Sequence, residues 1–218
     1  MGVRLRSRLD MDQRRAQLLE LGLGLFGTRS YDEISIDDIA RAANVSKGLL
    51  YHYFGSKRAF YVAVIRHATE RLLDALDVGR ELPPPARGLV GLDAYLRFVE
   101  ERAATYSAMV TGGLGADPEV AVILEQTRQQ ITDRLLSELG PAAARPTYRL
   151  AMRGWIGAVE ATCVAWLAKP ELPRPQLLQL LLRTLQGTLA GAHAADPVEG
   201  LAVPIPRLVE PTPDHGDA

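Results

Sequence analysis

The chain has 218 residues, 47% hydrophobic and 23% charged, which is the make-up of a folded soluble protein and sets aside a globally disordered one. Its formal net charge of −1 excludes a protein that coats nucleic acid through bulk charge, so any affinity for DNA has to come from local patches. One cysteine, Cys163, leaves no internal disulfide or cysteine-rich zinc site and suits a reducing compartment; with no signal-peptide core after the basic start and no uncharged apolar run of membrane length, a cytoplasmic protein without membrane contact is expected.

Residues 1–9 read as a basic flexible arm. Met1 to Arg15 holds five arginines against two aspartates, a net +3. Beside a DNA-reading unit such an arm can follow phosphates or enter a minor groove; alone it is a solvated leader. Ala16, Leu19, Leu23 and Phe26 then recur at helical spacing, and Gly27 to Tyr31 ends that helix.

Ser35 to Phe54 reads as a helix-turn-helix. Ser35 is a good N-cap and Asp38 stands three residues on, so the first helix opens with its free N–H groups satisfied. Ile36, Ile39, Ala40 and Ala43 share one face. Asn44 falls where the chain has to turn sharply, and asparagine tolerates the left-handed conformation such a turn needs. Ser46 caps the second helix, whose first turn, Lys47 and Gly48, presents exposed N–H groups to a phosphate or a base edge. Leu50 and Phe54 face inward, leaving Lys47, Gly48, Tyr51 and His52 on the outer side of a helix that fits the major groove. Lys47 is the candidate base reader; Ser35, Tyr51 and Lys57 are candidate phosphate clamps, and Tyr53 either contacts DNA or packs on the next helix.

Lys57 begins a linker helix, 57–78, with Phe60 and Val64 inward. Gly79, Pro83, Pro84, Pro85, Gly88 and Gly91 predict a break between Val78 and Gly91. Helix is expected again over 92–110, stopped by Thr111 to Gly115, and from Asp117-Pro118-Glu119 to about Leu139. The next runs from about 143 to 168, with Tyr148, Met152, Trp155, Val159 and Trp166 on one face and a stripe of small residues, Gly154, Gly157, Ala158, Ala161 and Ala165, on another. A leucine-rich helix follows over 176–190, where Leu178, Leu182, Leu185 and Leu189 widen the apolar band beyond what one core needs. This pair suits self-association, or the core of a monomer. Residues 192–218, rich in proline, are expected to be an extended or disordered tail.

No catalytic constellation emerges. The four histidines are scattered, Cys163 has no cation within a turn to lower its pKa, and Gly112 to Gly115 lacks the Lys-Ser/Thr of a phosphate loop. No metal or cofactor is expected. Tyr95, Phe98, Tyr106, Met109, Trp155, Val159 and Cys163 can converge on an apolar space with Arg102 or Glu160 as polar anchor, a composition that suits a largely apolar ligand.

From about Arg14 to Val64 the chain resembles the TetR family of bacterial transcriptional regulators. Leu25-Phe26, Tyr31, Ser35, Asp38-Ile39-Ala40, Val45 to Gly48, Leu50-Tyr51, Phe54 and Ser56-Lys57 stand in order at the family's spacing. Ser30 and Asn44 replace usual glycines, and Leu49 a frequent threonine. The resemblance implies an all-α protein: a three-helix DNA-binding domain (10–56), the linker helix, and a larger helical domain (79–191) that binds ligand and dimerises through its last two helices. The expected function is a homodimeric repressor on a palindromic operator, released by a hydrophobic effector, fatty-acyl or drug-like, held beneath the linker helix. An activator on the same fold, and an all-helical enzyme or lipid carrier with a fortuitous motif, are the alternatives.

Overall fold

Two apolar cores, one small and one large, organise the chain, and three of its helices reach into both. In the computed structural model the residues described are 2–79, 81–111 and 117–199, with side chains from Met11 onward except those of Pro84 and Pro85. The elements are α1 (Gly2–Thr28), α2 (Ile36–Ala42), α3 (Lys47–Phe54), α4 (Lys57–Ala75), α5 (Pro84–Glu101), α6 (Ala103–Val110), α7 (Pro118–Ser137), a 3-10 turn (Gly140–Ala144), α8 (Pro146–Ala168) and α9 (Arg174–Ala195). The described chain is all-helical, with a helix-turn-helix followed by a larger helical domain, as the sequence implies.

The small core joins Leu19, Leu23 and Phe26 of α1 to Ile39, Leu50 and the Phe60, Val64 and Ile65 face of α4. Leu50 is essentially inaccessible, so it anchors α3; its truncation to alanine costs about 2–5 kcal/mol. Gly22 lets α1 and α4 approach closely, since a Cβ there would lie 2.5 Å from Val64 Cγ2. Gly27 does the same against α6: a Cβ would meet the Thr105 backbone N at 2.9 Å, and Thr105 Oγ1 donates to the Leu23 carbonyl at 3.0 Å. Val120 and Ile123 of α7 belong to this core too. The large core runs from Leu72 through α5, Tyr106, the C-terminal half of α7, α8 and α9.

Several boundaries differ from the sequence expectation. The backbone expected to be an arm over 1–9 is helical from Gly2, continuous with α1. The break expected up to Gly91 ends at Pro83, because Pro84 and Pro85 occupy the first turn of α5, where a missing N–H costs nothing. The single helix expected over 92–110 is interrupted at Arg102, whose φ/ψ of −125°/34° are non-helical. The end of α9 lies at Ala195, beyond the expected 190, where the Tyr148 hydroxyl and His193 Nδ1 are 3.1 Å apart and Val198 packs into the core. The first part of the expected tail is therefore ordered structure; the rest, and the Gly112 to Gly115 helix stop, lie outside the described residues.

Candidate functional site

The DNA-reading surface is built by caps. Ser35 Oγ accepts the Asp38 N–H at 3.1 Å, Asp38 Oδ2 accepts the Ser35 N–H at 3.0 Å, and the Ser35 hydroxyl donates to the same oxygen at 2.6 Å. These bonds from Ser35 hold the Asp38 carboxyl down at about 2. The Ser35 hydroxyl is thus engaged in its capping box rather than turned outward as a phosphate clamp. Asn44 adopts φ 52°, the left-handed turn that its side chain tolerates. Ser46 Oγ accepts the Leu49 N–H at 3.2 Å and opens α3, and Gly55 at φ 77° turns the chain into α4, which Ser56 caps.

On α3 the outer residues stand where the periodicity puts them. Tyr51 is 48% exposed and His52 is exposed; Tyr53 is half-buried, its ring 5.8 Å from His52 and 6.1 Å from Phe54. At Gly48 a Cβ would meet only Ser46 Oγ, at 3.9 Å. That position is therefore uncrowded within the chain. Lys47 Nζ pairs with Asp37 at 2.5 Å, with both side chains about half exposed, and Lys57 Nζ sits 4.1 Å over the Tyr31 ring. Both cations are held by weak surface partners that an incoming phosphate or base edge can replace.

The second site is a cavity of about 190 Å³ between α4, α5, α6, α7, α8 and α9. Tyr95, Phe98, Tyr106, Met109, Trp155, Val159 and Glu160 line it, as expected. Two expected residues do not. Arg102, in the break between α5 and α6, turns its guanidinium over the Phe98 ring at 4.6 Å and pairs with Glu101 at 3.1 Å; Cys163 is wholly buried outside the lining. Burial pushes the Cys163 thiol up to about 12, so it remains a thiol. Arg128 of α7 is a polar residue of the wall, its Nε donating to Glu160 Oε1 and Oε2 at 2.8 and 3.0 Å; Arg87, Arg134 and Glu138 also line the cavity. Sequence reasoning missed Arg128 although a signal existed: it lies in register with Leu124, Ile131 and Leu135, inside an otherwise apolar stripe. The Tyr95 and Tyr106 hydroxyls bond each other at 2.6 Å, and burial raises both pKa values, so both stay protonated. On the α4 side, Ala68, Thr69, Leu72 and Leu76 complete the wall.

The small stripe of α8 is exposed throughout: Gly154, Gly157, Ala158, Ala161 and Ala165 all face out, and a Cβ at either glycine would meet nothing within 4 Å. On α9 the leucines divide differently from the expectation. Leu182 and Leu189 are 3% and 2% exposed and, with Leu185, line the cavity, while Leu178 is half-buried against the same core. Their own chain covers them because the α8–α9 pair packs Trp155 between the helices, its Nε1 donating to Thr184 Oγ1 at 3.1 Å. The outward apolar residue of α9 is Leu180, 47% exposed.

Residues 18–64 match the family model described as bacterial regulatory proteins, tetR family. Residues 84–187 match the one described as tetracyclin repressor-like, C-terminal domain. The crystal structure of a tetR-family transcriptional regulator from Streptomyces coelicolor superposes with a TM-score of 0.76 at 34% identity, covering 90% of this chain and 85% of that one. The HTH-type transcriptional activator FasR of Mycolicibacterium smegmatis is 27% identical over 153 residues, which are 69% of this chain and 70% of FasR. The transcriptional regulator AcuR of Cereibacter sphaeroides is 33% identical over 106 residues, 46% of this chain and 47% of AcuR.

Proposed function

The chain belongs to the TetR family of transcriptional regulators, which bind DNA operators as dimers and are not enzymes, and within that family we propose that it is a cytoplasmic repressor released from a palindromic operator by a hydrophobic small molecule. The observation that carries this reading is the shared helix: α4 begins directly after the recognition helix α3, and Ala68, Thr69 and Leu72 of its far half, with its C-cap Leu76, form one wall of the apolar cavity. A ligand that needs that wall to move shifts α3 with it. A differential affinity of about 3 kcal/mol between the two states suffices to weaken operator binding more than a hundredfold. The size of the cavity bears on the ligand. A dry cavity of about 150 Å³ accepts benzene, so the observed volume receives a compact apolar body, and a longer fatty-acyl or drug-like molecule requires the walls to part.

In this reading Lys47, with Gly48, reads bases, Tyr51, His52 and Lys57 contact the backbone, and two copies associate through the exposed α8 stripe and Leu180. Among the described residues no helix is long and apolar enough to cross a membrane. The test is operator affinity, measured on the DNA flanking the coding gene, against a panel of lipids, acyl-CoA esters and aromatic drugs, with melting temperature read in parallel. Release by at least one compound supports the repressor reading; a panel that shifts neither quantity rejects it. A second reading, activation, is favoured by the resemblance to FasR, an activator, and is separated by whether a promoter reporter falls or rises when the gene is removed.

A further inference from the structure

α7 starts in one core and ends in the other. Val120 and Ile123 pack with the α1–α4 residues beneath the DNA-reading surface, whereas Ile131 and Leu135, two to four turns on, line the cavity. At the first end α7 is tied to α4 by a cluster of charges. Arg58, the second residue of α4, donates from Nε to Asp117 Oδ2 at 2.6 Å and from Nη2 to Asp117 Oδ1 at 2.8 Å, and Nη2 also reaches Glu119 Oε2 at 3.2 Å. Asp117 is the N-cap of α7 and accepts the Glu119 N–H at 2.9 Å, so one carboxylate both opens α7 and grips α4. Two turns along α4, Arg66 meets Glu119 at 3.8 Å. The pairing raises the Arg58 pKa and lowers that of Asp117, in each case chiefly through their shared hydrogen bonds.

We propose that Arg58 is a positioning residue for operator recognition: with Asp117 it fixes the tilt of α3 and α4 against α7, and α7 transmits the state of the cavity to that clamp. The two planar groups meet through parallel N–H···O bonds, a geometry that sets direction as well as distance. Arg58 itself is half exposed, so the pair contributes orientation more than stability. α7, with 20 residues, is a rod of about 30 Å. Arg128 lies near its middle, bound to Glu160 of α8. A ligand that parts Arg128 from Glu160 moves the rod where it lines the cavity, and the Asp117 end swings with it. The sequence contains Arg58 and Asp117 but no clue to their meeting, because they stand 59 positions apart.

The inference rests on the DNA-binding reading above, and its test separates the two. Arg58→Gln and Asp117→Asn remove the charges while asparagine keeps the N-cap. Each variant, and the double, carries a nitroxide at Arg41→Cys on the exposed end of α2; Cys163 is buried and takes no label. Pulsed dipolar spectroscopy then reads the separation of the two DNA-reading units in the dimer, beside operator affinity and melting temperature. The expected result is a broadened distance distribution and an affinity lower by about tenfold in each single variant, a double variant no worse than the weaker single, and little change in melting temperature. Additive losses, an unchanged distance distribution, or a fall in melting temperature that accounts for the lost affinity would each overturn it. If the unaltered protein binds no operator, the regulator reading fails, and the distance distribution still decides the clamp.

Discussion

Filling the cavity is the sharpest way to separate ligand response from DNA binding. Val159 lines it and is 5% exposed, and replacing its isopropyl group with the phenylalanine ring adds roughly 50 Å³, about a quarter of the 190 Å³ available. At about 24 cal/mol per Å³ of cavity removed, Val159→Phe gains on the order of 1 kcal/mol. Overpacking opposes that gain by about 1–3 kcal/mol where no space exists; here the side chain already borders the void, so filling prevails. In a chain of this length 1 kcal/mol raises the melting temperature by about 2–4 °C. The substitution leaves the α3 surface untouched, so operator affinity without ligand stays within about twofold. The assay is a thermal melt and an operator titration of parent and variant, each with and without a compound that releases the parent. Retained release at unchanged ligand concentration in a correctly folded variant would refute the assignment of the cavity as the effector site.

Three further outcomes follow from local geometry. Lys57→Ala weakens binding to all DNA sequences alike and lowers the salt slope by about one phosphate per half-site, whereas Lys47→Ala costs about 1–3 kcal/mol at the operator and relaxes preference at one base position; titrations against randomised operators distinguish them. Gly27→Ala forces a Cβ onto the Thr105 backbone, which cannot rotate away, and destabilises by about 1–3 kcal/mol with loss of the Thr105 bond to Leu23, read by thermal melting. Asp38 has a folded pKa depressed to about 2 from an ordinary 3.8, so its capping contribution is complete above pH 4 and is lost as pH falls toward 2. NMR titration of the Ser35 and Asp38 amides should locate that loss, and in Asp38→Ala the same transition should be missing.

The DNA-reading half was legible because its information is local. Caps act over three residues, a left-handed turn needs one tolerant residue, and Ile39, Ala40 and Leu50 show their faces by spacing alone. The cavity was legible in part for the same reason: Tyr95, Trp155 and Val159 lie on apolar faces whatever they pack against. The failures are tertiary. Arg102 was a reasonable anchor until the helix broke beneath it, and Arg128 took its place because α7 sets its guanidinium against Glu160 on the cavity wall. Leu182 and Leu189 carry no mark that tells an interface from a core, and burial by their own chain decides it. Proline at the start of α5 misled because three adjacent prolines suggest a linker, while an N-cap and the first helical turn accommodate them.

Fluorescence anisotropy of a labelled operator, with light scattering at the same concentrations, compares a full palindrome with a single half-site. The expected result is a dimer that binds two half-sites about 34 Å apart far more tightly than one half-site, with a steep salt dependence. A monomer at micromolar concentration that binds one half-site as tightly as the full palindrome would contradict it.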